Sequence, residues 1–229
     1  MTSARDEFRA GVYALSPALI GNIPFGLIAG VAGTIAGLTP IETIMSSILI
    51  FSGVGQLIVY QLFGNGSPAP VILLAALVVG LRLVMYSAVL APYFGHLNMR
   101  WKILLAYLTT DQGFAASTGH FKKSEEPQHR AWFHLAGGLT QWVSWQIAVA
   151  IGAVLGAQVP PSWSLDFVVP LTFLAMLIPA IKDRGTAVAA TVAGGVALAA
   201  MGLPFRLNLI TAALLGIAAG YFFDRHNNK

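Results

Sequence analysis

The sequence contains no cysteine in 229 residues, which excludes a disulfide framework, a thiolate nucleophile and a Cys-ligated metal. Charge is almost as scarce. Asp, Glu, Lys and Arg make up 10% of the chain, where a domain that faces water on all sides carries roughly 25%. So few charges cannot clothe an apolar core, and a soluble monomer is excluded. The five histidines, His96, His120, His129, His134 and His226, have no spacing that sets two ligands on one helical face, so no metal is expected. Ser52 lacks the flanking glycine pattern of a nucleophile elbow, and no glycine-rich phosphate loop is present. An enzyme is therefore not expected, nor any cofactor.

What the chain does have is apolar length. Hydrophobic residues make up 56% and glycine contributes 24 residues, a mixture suited to closely packed membrane helices, where small residues let backbones approach. Runs long enough for the ~20 residues of a membrane crossing begin near residues 10, 40, 69, 100, 130, 166, 186 and 206. Gly37-Leu38-Thr39-Pro40, Gly64 to Pro68 and Gly95 to Asn98 separate the first four with ordinary turn chemistry. The expected fold is an all-α polytopic transmembrane bundle of about eight spans, or seven if the second is re-entrant. It forms one domain over 1–229, with spans in 10–118 and 130–223 and a polar loop at 119–130 carrying Lys122, Lys123, Glu125, Glu126 and Arg130. Residues 1–10 are polar and the apolar stretch after them outruns an h-region, so a cleavable signal is not expected.

The pI near 9.6 does not point to nucleic acid, because the basic residues sit in short gaps between apolar runs. Cationic short loops stay in the cytoplasm. With both termini inside, Arg5, Arg9, Lys122, Lys123, Arg130, Lys182, Arg184, Arg225 and Lys229 are cytoplasmic, and only Arg100, Lys102 and Arg206 are outside.

Two spans read as poor continuous helices. The first holds Pro17, Gly21, Asn22, Pro24 and Gly26 near mid-span, and proline withholds a backbone donor and crowds the preceding turn. The second contains Phe51-Ser52-Gly53-Val54-Gly55-Gln56. Free backbone at membrane depth persists only where it is buried in protein or lines a wet cavity, and broken helices are how many secondary transporters build a midplane site. The bland alternative is that Pro and Gly only kink packed helices. Arg82 in the third span and Asp111 in the fourth are costly charges that adjacent helices could pair, either as a structural ion pair or as groups that contact substrate or carry a proton. Glu42 reads as a helix-start residue. In the fifth span His134, Gln141, Ser144 and Gln146 alternate with Trp132, Trp142 and Trp145, and Gln141 and Trp145 share one helical face.

Four elements, Pro17 through Pro24-Phe25-Gly26, Phe51 to Gln56, Leu81-Arg82-Leu83-Val84-Met85-Tyr86-Ser87, and Leu108-Thr109-Thr110-Asp111-Gln112-Gly113-Phe114, resemble in order those of the AzlC family of branched-chain amino acid exporters. The resemblance covers residues 10 to 115 and is diffuse beyond. It implies the large subunit of a two-component permease in the bacterial inner membrane, working with a small AzlD-type membrane subunit and exporting Leu, Ile, Val and sometimes Met on the proton motive force. The family's Asn-Leu-Arg is Gly80-Leu81-Arg82 here, and its Thr-Asp-Glu is Thr110-Asp111-Gln112, so Asp111 would act without a second acid. The expected substrate-binding set is Asn22, Pro24, Gly26, Ser52, Gly53, Gln56, Arg82, Tyr86 and Asp111, with Asp111 also coupling to protons. A passive channel would need polar groups along a whole path, and a non-transporting scaffold would leave Arg82 and Asp111 with a structural role only.

Overall fold

The computed structural model describes residues 3–122, 129–158, 181, 183–202 and 207–227, and among them every regular element is helical. Lys123, Glu125, Glu126, the run beginning near 166 with Pro170 and Pro179, Lys182, Arg206 and Lys229 lie outside the described residues. Contacts divide the chain into two units, Met1–Val169 and Pro170–Lys229.

In the first unit, α1 (Ala4–Leu15) starts at a capping box between Ser3 and Asp6, and α2 (Leu19–Ile35) follows a 3₁₀ turn at Ser16–Ala18. The backbone disruption expected over 17–26 is confined to this turn around Pro17. Pro24 lies inside a continuous α2 with its side chain exposed. A single proline withholds only one amide donor, and the helix continues through it. The second span is broken as expected: α3 (Pro40–Leu49) stops, Ile50 to Ser52 leave helical geometry, and α4 (Gly53–Gly64) begins again. Thr39 and Glu42 form a capping box at the start of α3, which gives Glu42 the helix-start role read from sequence. After α5 (Ala69–Leu90) and a 3₁₀ turn at Ala91–Phe94, the fourth span is also broken, into α6 (Met99–Tyr107) and α7 (Asp111–Phe121). Finally α8 (Arg130–Gly156) runs without interruption.

Among the described residues, three stretches are long and apolar enough to cross a bilayer: Ala4–Ile35, Ala69–Phe94 and Arg130–Gly156. The second and fourth runs fall short of that length only because each is cut in two. The central element is α8, which packs against α1, α2 and α3 and also meets α6 and α7, so the fifth span belongs with the first four. Small residues make the approach possible. A Cβ on Gly152 would stand 2.1 Å from Leu27 O, and one on Gly30 would stand 2.2 Å from Val149 O. The α2 and α8 backbones are therefore in direct contact, an arrangement open only to residues without a side chain. By contrast α5 offers almost wholly exposed faces, with Leu73, Leu77, Leu81, Val84 and Met85 among them, as expected of a helix that meets lipid or another membrane segment.

The second unit contains α9 (Arg184–Ala199), capped by Asp183, and α10 (Leu207–Asn227). They also pack through small residues, since a Cβ on Gly216 would meet Ala189 O and Ala193 Cβ at 2.8 Å.

Candidate functional site

Each broken span restarts in the same way. Ser52 caps α4, its Oγ accepting the Gly55 N–H at 3.3 Å, and Thr110 caps α7, its Oγ1 accepting the Gly113 N–H at 3.0 Å. The first ladder bonds are Gln56 N–H to Ser52 O and Phe114 N–H to Thr110 O, at 2.7 and 2.8 Å. The amides before them open the helices, and helix N-termini carry partial positive charge toward whatever faces them. The sequence reading found the first restart and missed the second. A signal for it was present, because Thr110-x-x-Gly113 repeats the hydroxyl-x-x-glycine spacing of Ser52-x-x-Gly55.

Both breaks are held by neighbouring turns of α8. Gln141 is buried; its Oε1 accepts the Thr110 hydroxyl, while its Nε2 reaches Gln112 Oε1 at 3.5 Å. Four residues on, about 6 Å along the helix axis, the Trp145 Nε1–H donates to Ser47 Oγ at 3.1 Å, and Gln146 Nε2 donates to Ser47 O at 3.3 Å. The end of α6 closes the gap: the Tyr107 hydroxyl donates to Ile48 O at 2.5 Å and itself accepts the Trp142 Nε1–H at 2.8 Å. The terminal carbonyls of α3 and the first turn of α7 thus find partners among side chains rather than water, as buried backbone must. The Gln141 and Trp145 face expected from spacing is this bracket.

The charges lie next to it. Arg82 Nη1 and Asp111 Oδ2 are 3.0 Å apart, joining α5 to the first residue of α7. One turn on, Tyr86 stacks on Phe114 with ring centroids 4.3 Å apart. Hence Arg82 and Tyr86, four apart on α5, meet Asp111 and Phe114, three apart on α7, each pair on one helical face. The side chains of Arg82 and Asp111 are 33% and 43% exposed, yet Arg82 Nε and Asp111 Oδ1 are buried and unbonded. The pair therefore keeps one spare donor and one spare acceptor.

The other expected site residues fall in distinct places. Asn22 ties α2 to α8, its Nδ2 donating to Gln141 O at 3.0 Å and Ser144 Oγ at 2.8 Å, and is linked through Gln141 to the start of α7. Gly26 is a packing position, since a Cβ there would stand 2.8 Å from Ala148 Cβ. Gly53 is covered by the rings of Phe25 and Trp145. Gln56 is fully buried; its Nε2 donates to Tyr60 OH at 2.5 Å, and its Oε1 is unbonded. Pro24 is exposed and away from these contacts. The geometry brings together Arg82, Tyr86 and Asp111, with Ser52 capping the neighbouring restart.

A buried histidine, placed in the fifth span by the sequence but without a role there, completes the bracket. The His134 Nε2–H donates to Leu105 O at 3.2 Å, and its Nδ1 is hydrogen-bonded to the Ser117 hydroxyl at 2.8 Å. The imidazole thus spans the α6–α7 break, with Thr109 Oγ1 also donating to Leu105 O at 2.8 Å. Among the described residues no group of three or more His, Cys, Asp or Glu could hold a metal ion.

Comparison with known proteins finds membrane proteins as relatives. The chain is 26% identical over 211 residues to the inner membrane protein YgaZ of Escherichia coli, covering 89% of this chain and 84% of that protein. It is 27% identical over 219 residues to an uncharacterized membrane protein of Archaeoglobus fulgidus, covering 91% and 92%. No solved structure matches. The family described as AzlC protein matches residues 17–159, which span both broken helices, Arg82, Asp111 and the whole of α8. On that match the chain, an all-α membrane protein, belongs to the AzlC family.

Proposed function

We propose that this protein is the large subunit of a proton-coupled exporter of branched-chain amino acids. The observation that carries the reading is the Arg82–Asp111 pair, set where α7 restarts inside a broken span and left with an unbonded donor and acceptor. A zwitterion complements such a place. Its carboxylate is received by Arg82 and by the first amides of α4 and α7, where helix ends and a guanidinium both favour negative charge. Its ammonium competes with Arg82 for Asp111, and aliphatic side chains of the same helices accept the alkyl group. Protonation of Asp111 would release both cations, coupling substrate departure to proton entry. Alternating access, with broken helices rocking about a fixed midplane site, fits the way half-helices serve other secondary transporters.

The chain would act in the bacterial inner membrane with both termini cytoplasmic, assembled with a small AzlD-type subunit, and without a cofactor or enzymatic step. The test is export of labelled leucine from preloaded cells. Loss of export in Asp111→Asn and in Arg82→Ala is expected, and normal export by both variants would remove their assigned roles. Flux that persists after the proton gradient is discharged would favour a channel. Reconstitution with and without the small subunit, scanning amino acids for counterflow, tests the partner and the substrate together.

A further inference from the structure

One cavity in the first unit is not used by the ion pair. It measures about 230 Å³ and lies between the end of α5, the turn Ala91–Phe94 and α6. Its walls are mostly carbon, from Leu90, Phe94 and Leu105, all buried. Polar groups occur at its two ends. Lys102 lines one end, its Nζ donating to Gly95 O at 3.0 Å, which leaves two of its three N–H groups free. Ser87 and Thr109 line the other. Lys102 and Thr109 are seven residues apart, about 10 Å along a helix. Ser87 adjoins Tyr86, and Thr109 is two residues before Asp111. The cavity thus runs from the start of α6 to the residues beside the Arg82–Asp111 pair.

The size and chemistry narrow the ligand. Sites for drug-sized molecules occupy roughly 300–1,000 Å³, so this one suits a smaller solute with a branched alkyl body and one anionic end. We infer that this cavity is a second binding site, an outer vestibule that takes a short branched aliphatic carboxylate, its anionic end on Lys102 and its alkyl group among Leu90, Phe94 and Leu105. This rests on the exporter reading for its place in transport, where the vestibule is the last station of the departing amino acid, but not for its binding chemistry.

Labelled 4-methylpentanoate, which has the carboxylate and branched alkyl group of leucine and no ammonium, probes the vestibule, and dependence of its binding on Lys102 and Ala106 distinguishes this site from binding at Arg82. Binding is measured on the purified full chain in detergent and again in phospholipid nanodiscs. The expected result is saturable binding, weakened about tenfold or more in Lys102→Gln, as for truncating one partner of a charge pair. It should be restored in Lys102→Arg and abolished when Ala106→Phe fills the cavity. Equal affinity in wild type, Lys102→Gln and Ala106→Phe overturns the inference, and so does binding that vanishes in nanodiscs, which would assign the cavity to a lipid chain. Leucine export measured on the same variants keeps the two readings apart. Lys102-dependent binding by a protein that exports no leucine upholds the vestibule and removes the exporter. Leucine export with an unaltered KM in both Lys102→Gln and Ala106→Phe upholds the exporter and removes the vestibule.

Discussion

A double-mutant cycle on Arg82 and Asp111 separates a charge pair that merely holds helices together from one that works. The perturbations are Asp111→Asn, Arg82→Gln and the two combined, each replacing a charge with an amide of related shape. A lone charge near the centre of a membrane helix costs ~2.5–3.5 kcal/mol on insertion scales. Here the side chains are 33% and 43% exposed, so part of that cost is relieved by polar surroundings, and each single variant should lose about 1–2 kcal/mol of stability. The double variant leaves no orphan charge. Two amides can bond across the 3.0 Å gap, so its stability should return to within about 1 kcal/mol of wild type, a coupling of roughly 2–3 kcal/mol.

Unfolding titrations in mixed micelles measure the cycle, and export of labelled leucine is followed in parallel. Stability and transport should part company: the double variant regains the fold and still fails to export, because an amide cannot take up a proton at Asp111 or present a fixed cation at Arg82. Strictly additive losses of stability would show that the two charges do not compensate each other in the membrane. Export at wild-type rate by the double variant would refute the transport role, leaving a structural bond.

Three further outcomes follow from the packing and the caps. Gly30→Val should separate α2 from α8 and abolish stable expression, since even a methyl would stand 2.2 Å from Val149 O, whereas Gly21→Ala, with nothing within 4 Å, should be neutral or gain up to ~1 kcal/mol; thermal stability in detergent compares them. Asn22→Leu should cost about 1–2 kcal/mol by deleting the donors to Gln141 O and Ser144 Oγ, and Asn22→Asp should be worse, since a carboxylate cannot donate to Gln141 O and brings a charge into the membrane; thermal melts rank the two. Donation from the Thr186 amide and hydroxyl holds the Asp183 carboxyl below its ordinary range. Its cap therefore stabilises α9 fully above the unfolded value near 3.9 and is lost as pH falls through the lower folded one. Asp183→Asn should flatten that part of the acid unfolding profile, read by circular dichroism.

How much of this could be read from residues alone depends on whether the feature is local. Apolar runs, turn glycines and capping pairs such as Thr39 with Glu42 are local, and they gave the all-α class and most helix starts. The break at Ser52 was legible because two glycines flank it. The break at Thr110 left only one local signal, the hydroxyl-x-x-glycine spacing it shares with Ser52, and the interruption is stabilised from outside, by Gln141 and His134, which lie far along the chain. The first span shows the converse error. Its prolines and glycines looked disruptive together, yet Gly26 and Gly30 serve contact with α8 and Pro24 faces outward, so only the turn at Pro17 departs from the α-helix. The Arg82–Asp111 pairing was within reach because two opposite charges in adjacent membrane helices have few other ways to be tolerated.

The position of α8 ties the breaks to the charges. An interrupted helix in a membrane survives only if its loose ends find partners, and here both sets of ends draw on neighbouring turns of one continuous helix, Gln141 to Gln146. Two breaks fastened separately could drift apart in depth; fastened to adjacent turns of one helix, they are held side by side. The helix start that carries Asp111 is thereby held beside the end of α3, while Arg82 reaches it from α5, a helix with little other burial to fix it. Movement of α5 against the closely packed α2 and α8 would therefore act on the ion pair that joins α5 to α7.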